Sequence, residues 1–218
     1  MTGSPNSMLK KVITKLEVQK GHKSRVSVFL EGEFAFGVDR SVALGWHLQE
    51  GKELSSEEIE QIQVAEERRK AKERAFRWLA YRNRSRKELE DKLKRAGFTP
   101  ATCVWVLEEL ERLRLIDDQA FAESFARDRI LRHPVGKRQL GYELSQKGIN
   151  ADLITATLEK VYSEEDEISL ARKLAKKKFD AQRNQPPEKA KKRVADFLLR
   201  RGFDWDTIST VLQECGNW

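Results

Sequence analysis

A leucine four residues ahead of a glycine, with an apolar residue directly after it, occurs three times in this 218-residue chain. The sets are Leu93, Gly97 and Phe98; Leu144, Gly148 and Ile149; Leu198, Gly202 and Phe203. Apolar positions recur six and ten residues past each glycine, at Cys103 and Leu107, Ile154 and Leu158, and Ile208 and Leu212. The glycines lie 51 and then 54 residues apart. Self-similarity at such a period marks stacked supersecondary units, each burying an apolar face against its neighbours. The glycine is the natural end of one helix, and the apolar residues beyond it belong to the next.

The punctuation around these sets predicts three helices per unit and nine in all. Ser55-Ser56-Glu57-Glu58 and Ser85-Arg86-Lys87-Glu88 are capping boxes, and Thr99-Pro100 supplies a cap followed by proline at the first helical position. The first of these opens a long helix whose stretch 66–74 is almost wholly charged and is expected to be solvated. Asp117-Asp118 opens a helix with Phe121, Ala122, Phe125 and Ile130, both carboxylates serving the cap and the macrodipole. Gly136 opens the next, and Asn150 caps the third. In the last unit Ser163-Glu164-Glu165-Asp166, Pro186-Pro187 and Asp204 open the helices. The fold expected is mainly α: three tandem three-helix repeats in an elongated array, spanning on the order of 60 Å at roughly 10 Å per helix. The boundaries are 57–116, 117–162 and 163–218.

Ahead of them, period-two alternation in Val12, Thr14, Leu16 and Val18, then Val26, Val28 and Leu30, then Phe34, Phe36 and Val38 predicts a small antiparallel β-rich module over 10–56. Lys20-Gly21 and Glu31-Gly32 provide the turns of a three-stranded meander. A helix over 41–48 bearing Val42, Leu44 and Trp46 should cover it, since so small a sheet is marginal alone. Residues 1–9 are expected to be disordered, and their first eight hold no signal-peptide core.

At 39% hydrophobic and 35% charged, with net charge +7, the chain can bury a core beneath a basic, solvated surface. No apolar run reaches the roughly 18 residues that a membrane span needs. Cys103 and Cys215 lack metal-ligand spacing and read as free thiols, which suits a reducing cytoplasm. His22, His47 and His133 fall in separate elements, so no metal site is expected, and no phosphate loop or nucleophile elbow points to catalysis. Neither a cofactor nor an enzymatic activity is expected.

Charge is unevenly spread. The middle unit is neutral, whereas 170–201 holds twelve basic against three acidic residues. Candidate contact residues are therefore Arg172, Lys173, Lys176, Lys177, Lys178, Lys189, Lys191, Lys192, Arg193, Arg200 and Arg201. A lesser cluster in the first repeat comprises Arg82, Arg84, Arg86, Lys87, Lys92, Lys94 and Arg95, of which the first four are candidate contacts. Separated basic stripes can follow a phosphate backbone or an acidic protein groove. With few aromatics interleaved, a base-stacking platform is not indicated.

The order of motifs resembles the RecX family of regulators of the RecA recombinase: Ser85-Arg86-Lys87-Glu88-Leu89 with Leu93 and Gly97-Phe98; Leu115-Ile116-Asp117-Asp118 through Phe121-Ala122; Gly136 and Leu144 to Gly148-Ile149. Ile13-Thr14-Lys15-Leu16-Glu17, with Asp39 after Phe34-Ala35-Phe36-Gly37-Val38, is similar to longer members that begin with a β-rich region. The chain departs at Leu115-Ile116, where a glycine often precedes the apolar residue. The resemblance implies a non-enzymatic, cytoplasmic protein of homologous recombination, DNA repair and the SOS response. Such a protein binds RecA, lodges in the groove of its filament on single-stranded DNA, acts as a monomer and mostly inhibits ATP hydrolysis and strand exchange. It transfers Gly97, Asp118, Phe121, Gly136 and Gly148 only as fold determinants. The alternative is a helix-turn-helix DNA-binding protein, because helices joined at a glycine turn also build that motif.

Overall fold

The computed structural model describes residues 10–21, 24–164, 166–182 and 184–214. The expectations placed on residues 1–9, His22 and Cys215 lie outside them. The described residues gather into two compact units, one from Met1–Tyr81 with Lys92–Glu109 and the other from Arg82–Asp91 with Leu110–Trp218.

The first unit begins with β1 (Lys11–Val18), β2 (Arg25–Leu30) and β3 (Glu33–Asp39), paired antiparallel as the alternation predicts. Glu31 and Gly32 both take positive φ, 52° and 87°, which matches the hairpin twist between β2 and β3. The sheet has a fourth strand, β4 (Glu53–Leu54), beside Lys11 and Val12, giving the order β3-β2-β1-β4. Two residues carry no alternation to read. Between β3 and β4, α1 (Arg40–Gly45) is capped by Asp39 and buries Val42 and Ala43. Leu44, expected on the same face, is 66% exposed, because two residues along a helix turn about 200° away.

The capping box at Ser55 forms: Glu58 N–H donates to Ser55 Oγ at 3.1 Å and Ser55 N–H to Glu58 Oε2 at 2.8 Å. It opens α2 (Ser56–Tyr81), whose Ile59, Ile62 and Ala65 pack on Ile13, Val28, Phe36 and Leu54 of the sheet core. The charged stretch 66–74 is not simply solvated. Glu66 is 4% exposed and gathers Arg25, Arg69 and Lys70 at 3.1 to 3.4 Å while accepting from Asp39 N–H, and Ala71 is fully buried. A buried charge persists only when paired and hydrogen-bonded, and here the partners come from β2, β3 and α2 itself. Glu67 reaches the start of α4 (Pro100–Arg112), accepting from the Thr99 amide at 2.9 Å and from the hydroxyls of Thr99 and Thr102. Cys103 is buried on this helix, its thiol donating to Phe98 O at 3.8 Å, and α3 (Arg86–Arg95) precedes the helix in the chain.

The second unit holds α5 (Asp118–Arg132), α6 (Lys137–Gln146), α7 (Ala151–Glu164), α8 (Glu167–Asp180), α9 (Pro187–Arg200) and α10 (Trp205–Glu214). Its core is continuous, running from Phe121, Ala122 and Ile130 through Leu140, Leu144 and Val161 to Leu170, Val194, Leu198, Phe203 and Ile208. The third repeat opens later than predicted: α7 runs to Glu164, and Asp166 caps α8, accepting from Ile168 N–H at 3.0 Å. Asn150 and Asp204 cap α7 and α10 as expected. Where the sequence lacks a glycine before Leu115, Arg114 takes the left-handed conformation itself, at φ 55°.

Candidate interaction surfaces

Two junctions in the second unit reuse one set of residues, offset by the repeat. At the first, Ser85 Oγ donates to Lys147 O at 2.6 Å and Arg86 N–H donates to Asp118 Oδ1 at 2.8 Å. At the second, Gly136 N–H donates to Arg201 O at 2.9 Å and Lys137 N–H to Glu167 Oε1 at 3.0 Å. In each, the glycine turn of one triplet sits on the first turn of the preceding triplet's middle helix, and an acidic first-turn residue of the intervening helix caps that helix's start. Asp118 is therefore not a cap for its own helix. Asp117 does that alone, accepting from Gln119 and Ala120. Glu88, read as the returning half of a capping box, instead takes Arg82 at 2.9 Å and Lys147 at 2.6 Å. Burial pushes its carboxyl up, but these hydrogen bonds more than reverse that and leave it below the usual range.

Asp118 goes the other way. Burial pushes its pKa up, Arg86 N–H opposes this, and the carboxylates of Glu111 and Asp117 push it up further. A raised folded-state pKa favours the protonated carboxyl, so the contribution is present at low pH and lost as pH rises through the shifted value. Asp118→Asn keeps an acceptor for Arg86 N–H without the charge. It is expected to leave stability unchanged or raise it by about 0.5 kcal/mol at pH 7. The gain should vanish as pH falls into the carboxylate range, as read by thermal melts across pH.

The basic cluster of the first repeat is largely committed within the fold. Arg82 pairs with Glu88 and Arg86 with Glu111, at 2.9 and 2.8 Å. Arg84 is half-buried and partnered, and Lys87 lies over Gly148 with its charged end exposed. The cluster of the third repeat divides. Arg172 is bidentate to Glu214 at 2.6 and 2.8 Å, Arg193 donates to Gln182, and Arg201 donates to Pro134 O at 3.0 Å. Lys178 and Arg201 both cover the Phe197 ring, at 5.6 and 5.1 Å. Lys191 is half-buried. What stays exposed without a side-chain partner among the described residues is Lys173, Lys176 and Lys177 on α8 and Lys189, Lys192 and Arg200 on α9, at spacings that share helix faces.

Aromatic rings under cations are more frequent than the sequence suggests, Arg68 over Trp105 and Lys92 over Trp78 among them. The helices that follow the glycine turns are poor in cations: α7 carries only Lys160, and α10 has no Lys or Arg. His47 and His133 stand apart, and among the described residues no three His, Cys, Asp or Glu side chains could share a metal ion.

Four family models match in order: the RecX regulatory protein N-terminal domain over 11–55, and the first, second and third RecX three-helix domains over 71–110, 117–158 and 164–212. The chain is 34% identical over 202 residues to the regulatory protein RecX of Bacillus licheniformis, covering 93% of this chain and 76% of that one. It is 31% identical over 207 residues to that of Clostridium perfringens, covering 94% and 96%. A crystal structure of regulatory protein RecX superposes with TM-score 0.76 at 32% identity, over 94% of this chain and all of the other. A RecX structure from Lactobacillus salivarius does so with TM-score 0.65 at 27% identity, over 71% and 99%.

Proposed function

This chain belongs to the RecX family of regulatory proteins, and from that premise we propose that it binds RecA and its filament on single-stranded DNA and restrains ATP hydrolysis and strand exchange. It acts as a cytoplasmic, non-catalytic monomer in recombinational DNA repair and the SOS response. The repeats are assigned as 57–116, 117–162 and 163–218, after the β-rich module of 10–56.

The observation that carries the contact surface is the α8 and α9 stripe. Its exposed lysines have no carboxylate partner among the described residues, in a protein where most other cations in the candidate set are drawn into the fold. Cations so placed neutralise phosphates or an acidic groove without giving up an internal contact. A duplex-reading helix would instead need donors on the helices after the glycine turns, and α10 has no Lys or Arg. The test is retention of purified RecA on the immobilised chain, with and without single-stranded DNA and a slowly hydrolysed nucleotide. Retention that rises when filaments form, alongside slower DNA-stimulated ATP hydrolysis, is the expected result. No retention in either state would overturn the reading, and selective capture of one duplex sequence would favour the helix-turn-helix alternative.

A further inference from the structure

The first unit carries a groove of about 810 Å³ that the filament reading does not use. Its floor is one face of α2, where Glu57, Glu60, Val64 and Arg68 succeed one another at helical spacing, and Trp46 and Trp105 line it as well. Val64 is 42% exposed. The face is graded: acidic over its first turn, apolar in the middle and basic at the far end. Arg68 lies over the Trp105 ring at 4.9 Å, and its buried Nε has no hydrogen-bond partner among the described residues.

We propose that this groove takes an amphipathic helix of a partner protein, laid antiparallel to α2, with its apolar stripe on Val64, Trp46 and Trp105, a carboxylate against Arg68 and a cation against Glu57 and Glu60. Helix-in-groove binding lays apolar anchors of a helix into an apolar groove flanked by orienting charges; here Val64 and Ala65 with Trp46 and Trp105 supply the apolar surface, and Glu57, Glu60 and Arg68 the charges. The antiparallel direction follows from the charges. A helix that meets Arg68 with its first turn and Glu57 with its last has its acidic residues at its own N-terminus and its basic ones at its C-terminus, in accord with its macrodipole. A nucleic-acid strand fits less well. The groove's other cations are committed, Arg69 to Glu66 and Glu73 and Lys72 to Glu109 at 2.9 to 3.1 Å, and Glu57 and Glu60 would face phosphates.

The test uses the full chain and two labelled 18-residue designed helices with the same leucine stripe. One has glutamates at its N-terminal end and lysines at its C-terminal end, and the other has these charges exchanged. By fluorescence anisotropy the first should bind roughly 10-fold tighter. Arg68→Glu should abolish that preference, which a merely structural role for Arg68 would not do, and Val64→Lys, at an exposed position, should abolish binding of both. Equal binding of the two helices, or binding indifferent to both substitutions, overturns the proposal. So does displacement of the first helix by an oligothymidylate in an Arg68-dependent manner, which would make the groove a nucleic-acid site. A dimer in sedimentation that Arg68→Glu dissociates would equally overturn it, assigning the face to a second copy of the chain.

Discussion

Gly202→Ala is expected to destabilise the second unit by about 4 kcal/mol, whereas Gly97→Ala should cost about 1 to 2 kcal/mol. Both glycines sit at equivalent helix ends with nearly the same left-handed φ, 82° and 85°. Strain from a Cβ at positive φ is therefore common to both and cancels in the comparison. What differs is the surroundings. A Cβ on Gly202 would fall 2.9 Å from Gln139 Cα and closer still to its N and Cβ, while one on Gly97 meets nothing within 4 Å. The neighbour at Gly202 is backbone at the start of α6, held by the Gly136 and Lys137 amide bonds described above, so it can yield only by opening the junction. Gly136→Ala isolates that steric part. Gly136 has an ordinary φ of −82°, yet a Cβ there would lie 2.5 Å from Gly202 C and Phe203 N. A loss of several kcal/mol from Gly136→Ala, with Gly97→Ala mild, is the pattern expected in thermal melts. At about 2 to 4 °C per kcal/mol the separation in Tm should be obvious. Equal losses at Gly97 and Gly202 would mean that the glycines serve only their own helix ends.

That contrast also shows where sequence reading stops. The repeat and the helix ends were legible because each rests on residues a few positions apart: a leucine, a glycine, an apolar residue, a cap. Ser55 with Glu58, Asn150 with Leu153 and Asp204 with Thr207 behave as local rules require. Ser85-Arg86-Lys87-Glu88 has the same local pattern, and its cap forms, yet Ser85 Oγ and the Glu88 carboxylate are spent on Lys147, about sixty positions away. Nothing within the four residues announces that. Glu66 defeats local rules for the same reason, since a run of charges looks solvated until Arg25 and the Asp39 amide arrive from the sheet. β4 escaped because two residues have no period. The candidate surface was half legible: counting found the excess of cations in 170–201, but the carboxylates that neutralise Arg82, Arg86 and Arg172 lie 6, 25 and 42 positions off. Only coordinates separate cations that hold the fold from cations left for a partner.

That separation sets the second large effect. Reversing Lys173, Lys176, Lys177, Lys189 and Lys192 to Glu is expected to weaken the proposed association with the RecA filament more than 100-fold at moderate salt. Each lost phosphate contact should also lower the slope of log affinity against log salt by about 0.9 if the contact is to duplex DNA, or about 0.7 if to a single strand. These side chains are exposed and make no ion pair among the described residues, so far-UV circular dichroism and Tm should hardly move. Arg201→Ala is the opposite case. It removes the donor to Pro134 O and the cover on Phe197, and is expected to cost stability by about 1 to 3 kcal/mol while leaving the salt slope of the surviving folded protein unchanged. The two readouts are thus predicted to move independently, stripe variants along the salt axis and Arg201 along the stability axis. Full inhibition of RecA by the five-fold reversed chain would remove α8 and α9 from the contact. The basic cluster of the first repeat could not then replace them in bulk, because Arg82 and Arg86 are already held by Glu88 and Glu111.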